Sequence, residues 1–256
     1  MRTDVHTHTT FSDGSELSSM VEAAESVGLD ALGLTDHCIV VEDGFGRRER
    51  YDLVETYERR RAVVDDASAE TDLRLYDAAE VSYVERAEAE TREFLSTADF
   101  AYTIGSVHFA GAYDYTSAAS YVDASEETRR AAVERYYDAV VSLVESELFD
   151  LLGHLDLPER TTALRGHSRP EDYERVAAAL ADSRTVPEVN AGRVDRSLGR
   201  VHPDPKMLGQ FRAHDVGFVL GSDSHRPGEL RSRVPALEDA VERHDVTVLD
   251  AASVVS

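Results

Sequence analysis

Short apolar, β-prone runs alternate along the chain with longer stretches in which apolar residues recur every three or four positions, the period of a helix buried on one face. The runs lie at 3–8, 31–37, 73–82, 100–108, 149–156, 185–191 and 216–225. The helical stretches lie at about 15–28, 50–71, 85–97, 125–147, 170–183, 204–214 and 229–244. Ser125-Glu126-Glu127-Thr128 and Ser168-Arg169-Pro170-Glu171 read as helix starts, each with a capping hydroxyl and acidic residues or proline in the first turn. Seven strand–helix units predict a parallel sheet, and closing it on itself gives a barrel resembling the (β/α)8 type. A further run at 246–249 is an eighth strand or a terminal tail. No repeat, low-complexity segment or Pro/Gly-rich linker divides the chain, so residues 1–256 are expected to form a single domain.

Polar residues fall at the carboxyl ends of these runs: His6 and His8, Asp36 and His37, Glu80, His108, His154 and Asp156, Glu188 and Asn190, Asp223 and His225. In parallel β/α proteins that end carries the active site. In His6-Thr7-His8 the imidazoles stand two residues apart on a strand, so both face one side and can grip one ion or two adjacent ones; Asp223-Ser224-His225 repeats the spacing. Glu80 follows Ala78-Ala79, an apolar setting in which an unpaired carboxylate would be costly and a cation partner is the economical explanation. His108 and His154, taken singly, read as core histidines or as ligands. Asp36 reads as a residue that orients His37 or a neighbouring ligand by a hydrogen bond. His214 and His244 read as surface histidines. Cys38 is the single cysteine, so metal binding falls to His, Asp and Glu.

His6-Thr7-His8-Thr9 with Phe11-Ser12-Asp13-Gly14, Leu34-Thr35-Asp36-His37, Gly105-Ser106-Val107-His108, Gly153-His154-Leu155-Asp156, Glu188-Val189-Asn190 and Gly221-Ser222-Asp223-Ser224-His225 together resemble the polymerase and histidinol phosphatase (PHP) family, in the family's motif order from residue 3 to about residue 230. Within it the similarity is to the stand-alone histidinol-phosphate phosphatases, which also show a pair like Phe149-Asp150 before the Gly-His motif and one like Tyr136-Tyr137 in the preceding helix. The resemblance implies a distorted (β/α)7 TIM-like barrel with three divalent metal ions at its mouth. Carried over, one ion takes His6, His8, Glu80 and Asp223; a second shares Glu80 and takes His108 and His154; a third takes Asp13, His37 and His225.

Such an N/O ligand set suits Zn, Mn or Fe. Adjacent ions can lower the pKa of a bridging water to give hydroxide near neutral pH and clamp phosphoryl oxygens, so that no protein nucleophile is required. No Cys-x5-Arg loop and no Walker-type glycine loop offers another route to phosphate chemistry. The expected substrate is a small-molecule phosphate ester, with L-histidinol phosphate leading. The alternatives are a nucleotide or oligonucleotide phosphoesterase on the same scaffold and a non-catalytic metal-binding domain. Arg160 and Arg193 are the preferred phosphate contacts, ahead of Arg226; Asp36, Asp156, Glu188 and Asn190 are expected to orient ligands or substrate, with Glu188 also a candidate partner for an amine.

Charge changes this picture in one respect. The chain carries 27 basic and 50 acidic residues, a formal net charge of −23, and Lys206 is its single lysine. That disfavours a basic nucleic-acid face and suggests an acidic surface adapted to high salt. Three divalent ions would bring about +6 to the pocket, and Asp13, Glu80, Asp223 and a hydroxide would remove about 4, which leaves the pocket positive inside a negative protein. No stretch reaches the roughly 18 apolar residues of a membrane span, and the N-terminus runs directly into a strand, so a cytoplasmic protein is expected.

Overall fold

The computed structural model describes residues 1–41 and 51–254. Its ordering element is a parallel sheet. Strands β1 (Thr3–Thr7), β2 (Ala31–Cys38), β3 (Arg74–Ser82) and β4 (Thr103–Ser106) are followed by a small antiparallel hairpin of β5 (Phe109–Ala110) and β6 (Tyr113–Asp114). Then come β7 (Leu151–Leu152), β8 (Val186–Asn190) and β9 (Val219–Gly221). The seven strands outside the hairpin lie side by side in chain order. Thr7 bridges Ser224 in parallel, the His8 N–H donates to the Ser224 carbonyl at 2.9 Å, and the Asp223 N–H donates to the His6 carbonyl at 2.8 Å, so the first strand meets the end of the last and the barrel is nearly closed.

Helices α1 (Leu17–Ser26), α2 (Leu53–Ser68), α3 (Glu88–Ala98), α4 (Glu126–Glu145), α5 (Pro170–Ala181), α6 (Leu208–Ala213) and α7 (Pro227–His244) connect or follow the strands, and a short α8 (Ala251–Val254) ends the described chain. The two periodicities explain the packing. On β2, Leu32 and Leu34 point outward into Leu17 and Met20 of α1 and Leu230 and Val234 of α7. Tyr76, Ala78, Tyr102, Ile104, Leu151 and Val219 form a separate apolar cluster within the ring of strands. A strand covered on both faces reads as a continuous apolar run, and every residue of β2 is buried. The register pairs His37 with Glu80 across β2 and β3 and Asn190 with Gly221 across β8 and β9, which brings the polar strand ends level.

Several boundaries differ from expectation. The runs at 100–108, 149–156 and 216–225 pair as strands only over Thr103–Ser106, Leu151–Leu152 and Val219–Gly221, because their later residues leave the ladder to form the loops at the mouth. The run at 246–249 forms no strand; Val248 makes a single parallel bridge to Phe218. The stretch at 204–214 divides into a 3-10 turn, Pro205–Met207, and α6, and α7 starts at Pro227 with proline at its first turn. The Ser125 hydroxyl caps α4 by accepting from the Thr128 N–H. Ser168 does not cap α5: Arg169 holds that place, and the Asp172 carboxylate accepts its N–H at 2.8 Å. Residue 50, the expected start of the second helix, lies outside the described residues. Among them, no helix is long and apolar enough to cross a membrane.

Candidate metal centre

All nine expected metal ligands lie together at the carboxyl ends of the strands. Glu80, near the end of β3, is at their middle. Its Oε2 lies 3.6 Å from His6 Nε2, 3.7 Å from His8 Nε2 and 2.6 Å from His37 Nδ1; its Oε1 lies 3.5 Å from His108 Nε2 and 2.9 Å from His154 Nε2. A second focus forms at Asp13, whose Oδ1 is 3.6 Å from His37 Nε2 and 3.2 Å from His225 Nε2. Asp223 Oδ1 joins the two, 3.5 Å from His8 Nε2 and 3.6 Å from His225 Nδ1.

These distances decide between hydrogen bonding and ligation. Most exceed a hydrogen bond, whereas ligand atoms bound to one tetrahedral ion at bonds of about 2.0–2.2 Å stand about 3.4 Å apart. Buried polar atoms are ordinarily satisfied, yet His6 Nε2 and His8 Nε2 have no hydrogen-bond partner among the described residues. Nitrogen and oxygen donors, buried and spaced for a shared cation, fit divalent metal. Seven of the nine fall into three overlapping groups: His8, Asp13, His37 and His225; His6, His8 and Glu80; and His37, Glu80 and His108; His154 and Asp223 belong to none of these and reach the cluster through Glu80 and through His8 and His225. The expected partition gave each histidine to one ion, whereas here His8 and His37 each belong to two groups.

A second ring of contacts aims the donors. Metal-binding histidines offer one nitrogen and use the other to fix the ring. His6 Nδ1 meets both Glu188 oxygens at 3.0 Å, His108 Nδ1 meets Ser82 Oγ at 2.8 Å, and His225 Nδ1 donates to the Asp223 carbonyl at 3.1 Å. His8 Nδ1 lies 3.4 Å from Ser12 Oγ, which donates to Asp36 at 2.8 Å. Asp36 therefore reaches a ligand through Ser12, while also accepting from the Thr9 backbone and hydroxyl and from Arg60. The Ser106 hydroxyl donates to Glu80 at 2.7 Å. Glu188 is fully buried and accepts from the His154 N–H and from Asn190 as well as from His6, so it is not placed to receive a substrate amine. Asp223 adopts a left-handed φ of 53°, its carbonyl held by Arg233 at 2.6 Å, and it lies so close to Gly192 that a Cβ there would come within 2.4 Å of its Oδ2.

The protonation balance is divided. Burial disfavours charge on Glu80 and Asp223, but His37, His6 and His108 hold the Glu80 carboxyl well below its usual range, and contact with His8 and the charges of His6 and His225 do the same for Asp223. His6 is pushed well above its ordinary value, against burial, by Glu188 and Glu80, and His225 is raised by contact with Asp13. His8, by contrast, is pushed down to about 3 by burial and by its neighbours His225 and His37.

The donors open into a cavity of about 170 Å³, whose wall includes Asp13, His37, Tyr51, Glu80, His108, Thr116, His154, Arg160, Arg193, Asp223 and His225. Drug-sized ligands need roughly 300 Å³ or more, so the space suits a small group. Arg160 ends the 3-10 turn Leu157–Arg160 after β7, and Arg193 lies in the loop after β8. Neither guanidinium is paired with a carboxylate among the described residues, whereas Arg60, Arg61, Arg196, Arg200 and Arg233 all are. Burial lowers both; proximity of Arg193 brings Arg160 to about 10, a value at which it remains charged at neutral pH. Arg226 is exposed and lines an adjoining hollow rather than this cavity.

Three features were not anticipated. Tyr51 donates to Asp13 at 3.1 Å and stands edge-on to the His37 ring. Arg60 is wholly buried and binds Asp36 and Asp77; its sequence signal is a charge on the stripe that Leu53 and Val64 mark as apolar. Asp156 is buried against His202 and accepts from the Tyr173 hydroxyl and the Asp204 N–H, contacts that the local sequence does not announce.

The model of the PHP domain family matches residues 4–189. A Deinococcus radiodurans protein named "probable histidinol-phosphatase" is 29% identical over 216 residues, 83% of this chain and 81% of the relative. A solved Lactococcus lactis histidinol phosphate phosphatase, complexed with Zn, L-histidinol and phosphate, superposes with a TM-score of 0.74 at 22% identity over 93% of each chain. A Listeria monocytogenes structure gives 0.72 at 20% identity, covering 89% of this chain and 97% of its own. At these identities the two structures speak for the barrel fold.

Proposed function

The chain belongs to the PHP domain family, and from that premise we propose that it is a metal-dependent phosphomonoesterase that converts L-histidinol phosphate and water to L-histidinol and inorganic phosphate, a step of histidine biosynthesis. One observation carries the proposal: two guanidiniums, Arg160 and Arg193, that have no carboxylate partner among the described residues share a small cavity with a ring of nitrogen and oxygen donors spaced for shared cations.

We assign His6, His8, Asp13, His37, Glu80, His108, His154, Asp223 and His225 to three divalent ions, Zn, Mn or Fe. Bound there, such ions would supply Lewis-acid charge to the phosphoryl oxygens and lower the pKa of water beside them. The protein's own part is positional. Glu188, Ser82 and Ser12 turn the Nε2 atoms of His6, His108 and His8 toward the centre. Arg160 and Arg193 take the non-bridging phosphoryl oxygens, and a planar guanidinium can give two parallel hydrogen bonds to such a group. Asp223 already offsets part of their mutual repulsion, and a phosphate bound between them would offset more. The acidic surface belongs to a single-domain cytoplasmic enzyme working in high salt.

Phosphate release from a panel of phosphate esters, each with Zn, Mn or Fe, tests the proposal. L-histidinol phosphate should be the preferred substrate; rapid cleavage of nucleotides with none of histidinol phosphate would refute it.

A further inference from the structure

Arg160 and Arg193 come from different loops, 153–169 after β7 and 191–204 after β8, and like charges brought together repel. Burial and, after it, that repulsion disfavour the charge on Arg160. Among the described residues no backbone-to-backbone hydrogen bond joins the two loops, so side chains must hold the two cations at one cavity.

A set of hydrogen bonds and ion pairs, most of its members buried, crosses between the same loops. Asp156, directly before the turn that ends in Arg160, pairs with His202 Nδ1 and accepts from the Asp204 N–H at 2.8 Å. Glu159, next to Arg160, accepts from Arg200 Nη2 at 3.3 Å, and Arg200 Nη1 stands 3.6 Å from Asp156. Arg165 adds a third crossing: it donates to the carbonyls of Glu159 and Arg160 on its own loop and to that of Ser197 on the other. Asp156, Glu159 and His202 are 0%, 5% and 1% exposed, so these pairs are screened little by solvent. The loop of Arg193 is folded tightly as well, its carbonyl accepting from the N–H groups of Arg196 and Gly199 at 3.2 Å each.

We propose that Asp156 and Glu159 on one loop and Arg200 and His202 on the other form a latch that sets the separation of Arg160 and Arg193, making Arg200 and His202 positioning residues for the phosphate of the substrate. The latch touches none of the metal donors through Arg200 or Glu159, so phosphate affinity and metal content can be separated. The proposal rests on the assignment of Arg160 and Arg193 to phosphate.

The test uses metal-loaded protein, inorganic phosphate as a competitive inhibitor and a phosphate ester as substrate. Arg200→Gln and, independently, Glu159→Gln should each raise KM and the phosphate inhibition constant about tenfold while kcat changes less than about twofold and metal content stays at the wild-type level. Arg200→Lys should recover part of the loss. In an Arg160→Met background the effect of Arg200→Gln should shrink, since coupled residues are not additive. Unchanged phosphate inhibition in both variants would overturn the latch, as would a joint fall of phosphate affinity, kcat and metal content. Wild-type protein that is indifferent to phosphate, or an Arg160→Met variant that phosphate inhibits as strongly as wild type, would instead overturn the assignment of the arginines, and the latch with it.

Discussion

Glu80 is the residue on which the centre turns, since five of the six clustered histidines approach its two oxygens. Glu80→Gln keeps the shape and removes the charge, so it should abolish phosphatase activity and lower bound metal with little loss of secondary structure; elemental analysis beside circular dichroism checks this. Arg160→Met has the opposite profile, full metal content with KM raised by about tenfold or more, because one charge-assisted contact to phosphate is lost. Protonation gives a third expectation. His6 and His225 hold their protons above the ordinary histidine value, so their contribution to stability without metal is full below about 6.5 and is lost as pH rises through the raised values. Glu80 and Asp223, held low, contribute above the usual carboxylate range and lose that contribution only as pH falls through their depressed values. Metal must displace the histidine protons, so the difference in Tm between metal-loaded and metal-free protein should widen from about pH 6 to pH 8. A constant difference would mean that these histidines do not ligate.

At the scale of elements, α2 supports the mouth from behind. Arg60 reaches from its apolar stripe to Asp36, Asp77 and the carbonyl of Ala78, tying β2 and β3 to the helix and, through Asp36, ordering residues 9–12. Arg60→Met would leave two carboxylates without their buried partner and should cost about 3–5 kcal/mol, measured by denaturant unfolding. The strand ends that carry ligands were legible in the sequence because polar residues there break apolar runs, and His6-Thr7-His8 and Asp223-Ser224-His225 announce themselves by spacing alone. The contacts of Asp36, Glu188 and Asp156 were not, because each joins positions 17 or more residues apart through register and loop packing. Short strands such as Leu151–Leu152 were over-read for a related reason: periodicity does not distinguish the last paired residue from the first loop residue when both are buried.

At the scale of the whole molecule, barrel closure and the strand order follow from seven alternating units, and the order is the simplest one available, each strand beside its predecessor in the sheet. What periodicity left open was the eighth strand, settled by the single bridge of Val248 to Phe218. A net charge of −23 makes the compact state repel itself, and added salt screens that repulsion. The Tm of the metal-loaded protein should therefore rise steadily from dilute buffer to molar KCl; full stability and activity in dilute buffer would dispose of the salt-adaptation idea. The central claim is metal-dependent hydrolysis of a particular ester. Its most direct test is phosphate release from L-histidinol phosphate by three samples: metal-loaded protein, the same protein stripped by chelator, and Glu80→Gln. Turnover in the first alone is the predicted result, and equal turnover in all three, or none in the first while another ester is cleaved well, would contradict it.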